Sequence, residues 1–343
     1  MKNRIFAMAA LAAALFASCN KETEMINPTP EARPDGASVT ITLSSGDDAQ
    51  TRAFFDATAT AEAWEKTLSS LSVFTFNTSG DLILRRDFTV SELASKSATF
   101  SLPKSAAGTE CSFYAVANYD ASSAKTKSAL TALVEKSAGD YNGTFADVST
   151  KALRSGGFVM SGSTTKTVGA VNTSTQVGIS LKRTVAKVAL QTSIDPEFSE
   201  KYPGSITINS VKLSRAASQS LIVAGTPSTG TMTYTHTQTP GTASSKYNSL
   251  FYVYETGTLD AGSRVLLEIN ATYDSDGSSS TSSDRSDVTY SIELTGKAAG
   301  QILRNGYYRV AANITGLVGQ DCQVSVTVAD WETPVTQSVD LGA

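Results

Sequence analysis

Catalysis or metal binding needs titratable side chains at a workable spacing, and this chain offers few. The single histidine, His236, lies in the threonine-rich stretch TYTHTQT with no cysteine or carboxylate nearby. General acid–base work needs an oriented partner within hydrogen-bond reach, so His236 reads as a surface-loop residue. No serine stands in a nucleophile-elbow context, and SGGF at 155–158 does not have the pattern of a phosphate loop. Asp274, Asp276, Asp284 and Asp287 cluster in YDSDGSSSTSSDRSD, a set of oxygen donors of the kind calcium takes. Their spacing departs from an EF-hand loop and no closing glutamate follows, so a solvated hairpin tip is expected. The three cysteines are Cys19, Cys111 and Cys322. The last two stand in opposite halves of the chain, which gives no disulfide framework and predicts two buried thiols. Paired titratable groups are missing from every segment, and the sequence argues against an enzyme and calls for no cofactor or metal.

The elements that would position any site are mostly strands. Alternation of apolar and polar residues runs through SVTITLS, LSVFTF, CSFYAVANY, KVALQTSI, SITINSVKLS, LFYVYET, RVLLEINATY, VTYSIELTG and CQVSVTVADW. Serine, threonine and glycine fill the gaps between them. Helical signals are few: Ala61–Leu68, and SALTALVEKSAG, where Ala129, Leu130, Leu133 and Val134 form one stripe before Gly139. An all-β fold follows, with a few short helices and two antiparallel β-sandwiches in series. The first is expected over 53–175 and the second over 176–332, with the polar stretch 165–176 between them. A net charge of −4, from 28 basic and 32 acidic residues, gives no basic footprint for nucleic acid.

The start of the chain speaks to its compartment. Lys2 and Arg4 precede the apolar run IFAMAALAAALFAS, which is too short to cross a bilayer and has the layout of a cleaved export signal over 1–18. Ala17-Ser18-Cys19 resembles the end of a bacterial lipoprotein signal, in which Cys19 would be acylated. Phe16 stands where such signals carry leucine, with Leu15 one place earlier. Residues 20–36, NKETEMINPTPEARPDG, read as a flexible tether.

Five blocks carry a more specific resemblance: GFVMSG (157–162), ISLKRTVAKVALQT (179–192), SLFYVYET (249–256), ILRNGYYRVAANITG (302–316) and VSVTVADWE (324–332). In this order and with the lipoprotein start, they resemble the Bacteroidetes fimbrillins, the subunits of type V pili. The resemblance implies transthyretin-like, Greek-key sandwiches and a place on the cell surface, in a fimbrium at the outer membrane. It implies copies of the chain and other fimbrial subunits as partners, a lipid anchor before processing, and surface ligands of host or bacterial cells to adhere to. It further implies an arginine-specific surface protease that removes the N-terminal segment. TRAFF looks like that site, with the cut after Arg52 and Ala53 as the new N-terminus. Among the other arginines, Arg33 precedes Pro34, and Arg85 and Arg86 follow GDLIL in or beside a strand. Arg52 instead has polar residues before it that keep the backbone accessible.

Within the segment 19–52 that such a cut would release, residues 37–45 read as a strand with Val39, Ile41 and Leu43 on one face. Such a strand pairs along a sheet edge while pressing three side chains into a core. Its loss leaves unpaired backbone and an apolar groove, both costly to expose. At the other end, residues 333–343 alternate alike, with Val335, Gln337, Val339 and Leu341 sharing a face. Insertion of this donor strand into a neighbour's groove is a β-augmentation that joins unlike surfaces of identical chains and propagates as a filament. A stalk-forming subunit is the expectation; an anchor or tip subunit, or a tethered glycan-binding lipoprotein, is the alternative.

Overall fold

The computed structural model of the chain describes residues 36–44, 55, 61–227, 232–278, 280–295, 299–317, 322–331 and 337–341. Cys19, Arg52, Ala53 and Val335 fall outside them. The fold is the all-β one expected, built mainly from antiparallel sheets.

Among the described residues nine strands make the first domain: β1 Ala37–Ser44, β2 Leu71–Phe76, β3 Leu82–Asp87, β4 Ser97–Leu102, β5 Glu110–Ala117, β6 Val134–Glu135, β7 Met160–Thr167, β8 Ser174–Ser180 and β9 Lys182–Arg183. A three-stranded sheet in the order β4-β1-β8 faces a five-stranded sheet in the order β3-β2-β5-β7-β9. Alternation explains the core between them: Val39, Ile41, Phe100, Val177 and Ile179 from the small sheet meet Leu71, Val73, Phe113 and Ala115 from the large one. The large sheet is covered on its other face too. There Phe74, Phe76 and Val116 pack with Leu130, Ile222 and Val223, which is why LSVFTF reads as nearly continuous apolar sequence.

Eleven strands follow among the described residues: β10 Val185–Ile194, β11 Ser205–Ala216, β12 Ser220–Leu221, β13 Tyr234–Gln238, β14 Gly241–Ala243, β15 Lys246–Tyr254, β16 Leu266–Asp274, β17 Arg285–Glu293, β18 Gly306–Ile314, β19 Cys322–Asp330 and β20 Gln337–Leu341. They form a six-stranded sheet, β14-β15-β10-β18-β19-β20, over a four-stranded one, β13-β11-β16-β17. Strand β10 serves two cores. Val188 and Leu190 face the second sandwich, whereas Val185 and Ala189 belong to the core shared with the first domain.

Three sequence expectations change. The stripe over SALTALVEKSAG is not one helix: the helix α1 spans Val90–Ser95 and the next, α2, only Lys127–Thr131. Val134 and Glu135 leave it to pair with Leu221 and Ser220 of the second domain, a tertiary contact that local spacing does not reveal. Ala61–Leu68 contains a single 3-10 turn, Ala63–Lys66. His236 sits in β13 with its ring edge-on to Phe251, not in a loop. Strand pairing is continuous across residue 175. β8 stays beside β1, and β9 pairs with β7 before β10 opens the second sheet. The crossing is tight: a Cβ on Gly162 of β7 would come within 2.1 Å of the Ser180 carbonyl oxygen.

Candidate functional site

Two regions of the first domain stand out, a strand and a turn. The strand is β1. Its alternation suggested an edge position, but β1 lies in the middle of its sheet, because apolar strands flank it on both sides. It runs antiparallel to β4, from Ala37 opposite Leu102 to Thr42 opposite Ser97, and parallel to β8, from Ser38 opposite Ser174 to Ser44 opposite Ser180. Ala37, Val39, Ile41 and Leu43 are buried. The outward side chains are small hydroxyls, and Thr40 exchanges a 2.9 Å hydroxyl hydrogen bond with Thr99. Both ends are pinned by backbone bonds, Ser38 N to Thr173 O at one and Leu181 N to Ser44 O at the other. Burial of the three aliphatic side chains is worth about 5–8 kcal/mol before entropic costs. Among the described residues no charged group contributes to this grip.

The turn is Ala63–Lys66, which carries Glu65 into the joint between the domains. The Glu65 carboxylate and the Lys187 ammonium of β10 are both fully buried and 2.7 Å apart. Tyr252 of β15 donates its hydroxyl to Glu65 Oε1 at 2.6 Å, and Trp331 donates Nε1–H to Oε2 at 3.1 Å. Glu62 N donates to the same Oε2 at 2.8 Å, which closes a capping box within the turn. Arg183 reaches the Glu65 backbone oxygen through Nε at 2.8 Å and lies over the Trp331 ring, 4.4 Å from its centroid. Asn305 accepts from Arg183 Nη1 at 2.9 Å. Burial alone would push the Glu65 carboxyl up; Lys187 and then Arg183 outweigh it and hold it below its ordinary value. Burial pulls Lys187 below the usual lysine range against the opposing pull of Glu65. Burial, then Glu65, raises the Tyr252 hydroxyl far above the usual tyrosine range. With both ions sealed from solvent, this pair fastens domains and has no access to a substrate.

Around the joint the domains also exchange hydrogen bonds that finish each other's backbone. Asn142 donates to Tyr252 O at 2.8 Å and accepts from Tyr252 N at 2.9 Å. Glu135 accepts from Tyr141 at 2.8 Å and from Thr184 at 2.9 Å, and pairs with Arg154 at 3.0 Å. Arg304 holds Leu221 O at 2.8 Å and pairs with Glu255, fixing β12 against β6.

The five sequence blocks meet here. Phe158, Arg183 with Lys187, Tyr252, Asn305 with Tyr307, and Trp331 come one or two from each block, and the rings of Phe158, Tyr252 and Tyr307 all contact Trp331. Each block alone reads as sandwich core. Sequence reasoning did not single out Glu65, which stands between the charged residues Glu62 and Lys66 beside Trp64; a lysine, Lys187, inside the apolar run VAKVAL is the one signal that an acid must arrive from elsewhere.

Of the remaining expectations, Arg85 and Arg86 do lie in β3, where Arg85 pairs with Asp87 and buried Arg86 with Glu92. Cys111 is a buried free thiol. Gln337, Val339 and Leu341 fall in β20, which pairs antiparallel with β19, Val339 opposite Val326, at the end of the six-stranded sheet. Asp274, Asp276 and Asp284 come together at the β16–β17 hairpin. Their oxygens already accept from Gly277 N, Thr281 Oγ1 and Asp276 N, and Arg285 pairs with Asp274 at 3.0 Å. Among the described residues no helix is long and apolar enough to cross a membrane.

Comparison with known proteins places these features. Residues 37–183, from the first residue of β1 to the last of β9, match the family model of the major fimbrial subunit protein FimA. A candidate cell adhesion protein from Parabacteroides distasonis superposes with a TM-score of 0.60 at 16% identity, over 88% of this chain and 99% of that one. Another from Bacteroides eggerthii gives 0.58 at 19% identity, over 89% and 98%. The tip fimbrial protein Mfa3 of Porphyromonas gingivalis, C-terminally truncated, gives 0.50 at 15% identity, over 86% and 100%. At these identities the likeness is one of fold. No curated protein matches the chain.

Proposed function

We propose that the chain is a Bacteroidetes fimbrillin, a reading supported by the match of residues 37–183 to the FimA family model, and that it is a structural subunit of a surface fimbria, assembled after removal of β1. It is exported as a lipoprotein acylated at Cys19 and held at the outer membrane. An arginine-specific surface protease cuts after Arg52, leaving Ala53 as the N-terminus, and β1 departs with the released segment. Neighbouring subunits refill the groove by strand exchange, and the chain serves as a stalk unit of an adhesive fibre with no catalytic role.

The observation that carries this reading is the place of β1. It is the middle strand of its sheet and fills the core, yet it joins the rest of the domain only through residues 45–54, the stretch that contains Arg52. Its grip is backbone ladder and aliphatic burial, which any strand of matching alternation supplies equally well. Loss of β1 turns β4 and β8 into facing edges a strand's width apart. N-terminal sequencing of fibres sheared from intact cells tests the proposal against an Arg52→Ala variant. Sheared chains should begin at Ala53, and the variant should stay lipidated and unpolymerised. Fibres that keep an acylated Cys19 would overturn it.

A further inference from the structure

Resting on the proposed cut at Arg52, we propose that the folded subunit withholds its described arginines from the protease that cuts there, and carries its exposed positive charge on lysine instead.

An endoprotease needs its target side chain free to enter a pocket, and several residues of backbone on either side opened into an extended form. Among the described residues eight of thirteen lysines are exposed, against one of nine arginines, Arg285. Six of those arginines lie in strands: Arg85 and Arg86 in β3, Arg183 in β9, Arg215 in β11, Arg285 in β17 and Arg309 in β18. There the ladder opposes opening, and the side chains are held as well. Arg85 and Arg86 pair with Asp87 and Glu92. Arg215 pairs with Glu293 at 2.8 Å and donates to Gly262 O at 2.7 Å, and Arg285 pairs with Asp274. Arg183 and Arg309 are buried over the rings of Trp331 and Tyr307.

The other three, Arg154, Arg264 and Arg304, lie outside strands and helices, where backbone opens more readily. Each is tied to main-chain carbonyls. Arg154 donates to Asn118 O at 2.9 Å and to Gly157 O at 3.0 Å, Arg304 to Leu221 O at 2.8 Å, and Arg264 to Leu259 O at 3.2 Å. A guanidinium bound in this way cannot enter a protease pocket without first giving up the carbonyl it holds. The planar fork suits such contacts better than an ammonium does, so each one alone is ordinary structure. The division of the cations across the whole fold is what the contacts together add: a surface rich in lysine and poor in accessible arginine is open to one class of protease and closed to the other.

Two proteases read this on the purified, uncut full chain, with fragments located by mass spectrometry. An arginine-specific endoprotease should cut after Arg52 at least about a hundredfold faster than after any described arginine. Arg264, whose carbonyl bond is the longest of the three, should be the next to go. A lysine-specific endoprotease should cut the same folded chain after one or more of Lys125, Lys136 and Lys151, which are exposed and outside strands and helices. Replacing the lysine so cut, by Lys125→Arg, Lys136→Arg or Lys151→Arg, should open that same bond to the arginine-specific enzyme; circular dichroism checks that the variant is folded. Cutting after a described arginine as fast as after Arg52 would overturn the proposal. So would resistance at all three lysines, or at an arginine put in place of a lysine that was cut, because the folded backbone would then protect whatever the cation. A chain cut at its lysines but left whole after Arg52 would count against the proposed function itself.

Discussion

Strand β1 and the turn Ala63–Lys66 are both short first-domain segments pressed into a core, and they are held by opposite chemistry. β1 is gripped along its whole length by ladder bonds and aliphatic side chains, with no ion among the described residues. The turn is gripped at one point, where Lys187, Tyr252 and Trp331 converge on the Glu65 carboxylate. Ladder and aliphatic contacts are generic, so another strand can supply them. An ion pair sealed among three aromatic rings is specific to its partners, because either ion left alone is intolerable. The segment proposed to leave thus has the interchangeable grip, and the segment that follows the proposed cut by a dozen residues has the permanent one.

The joint should give the largest effect. Lys187→Met leaves Glu65 buried beside Arg183 without its closest cation, and should cost about 3–5 kcal/mol in guanidinium unfolding. Glu65→Leu combined with Lys187→Met should cost much less than either change alone, since no buried charge is stranded. Equal and additive losses would mean that the pair fastens the domains merely by packing.

Ile41→Ala sharpens the comparison from the other side. In the uncut chain it removes a fully buried side chain and should cost about 2–5 kcal/mol, depending on how far the site collapses. In the chain assembled after cutting at Arg52 it should cost nothing, because the residue is no longer there. A cost that persists in assembled fibres would show that β1 stays in place.

The contrast also explains what was legible in the sequence. β1 was, because the period-2 alternation of Val39, Ile41 and Leu43 is a local signal; its central place was not, because both flanking strands are remote in sequence. The joint left only fragments. Lys187 in an apolar run, Tyr252 and Trp331 at alternating positions, and Glu65 in a charged stretch each look ordinary, and only their convergence from distant elements gives them meaning. The same limit misread SALTALVEKSAG, where pairing of Glu135 with Ser220 overrides helical spacing.

Acid should separate the two grips by a smaller margin. The folded-state value of Glu65 is lowered from 4.5, so its contribution is fully present above that value and is lost as pH falls through the lower one. Each unit of displacement is worth about 1.4 kcal/mol. Glu65→Gln should therefore unfold with a flatter dependence below pH 4.5 than the unaltered chain, whereas Val39→Ala, in a groove without charges, should lower stability by the same amount at every pH.

The smallest effect should come from the outer face of the same strand. Thr40 and Thr99 share a hydroxyl bond in contact with water, so Thr40→Val exchanges one weak bond for a residue equally suited to a strand. Thermal unfolding of the uncut chain should change by no more than about 0.5 kcal/mol. Thr99→Val should be as mild, because it removes the same hydroxyl bond from the other side, and a larger loss from either change would mean that the outer face of β1 contributes to its grip.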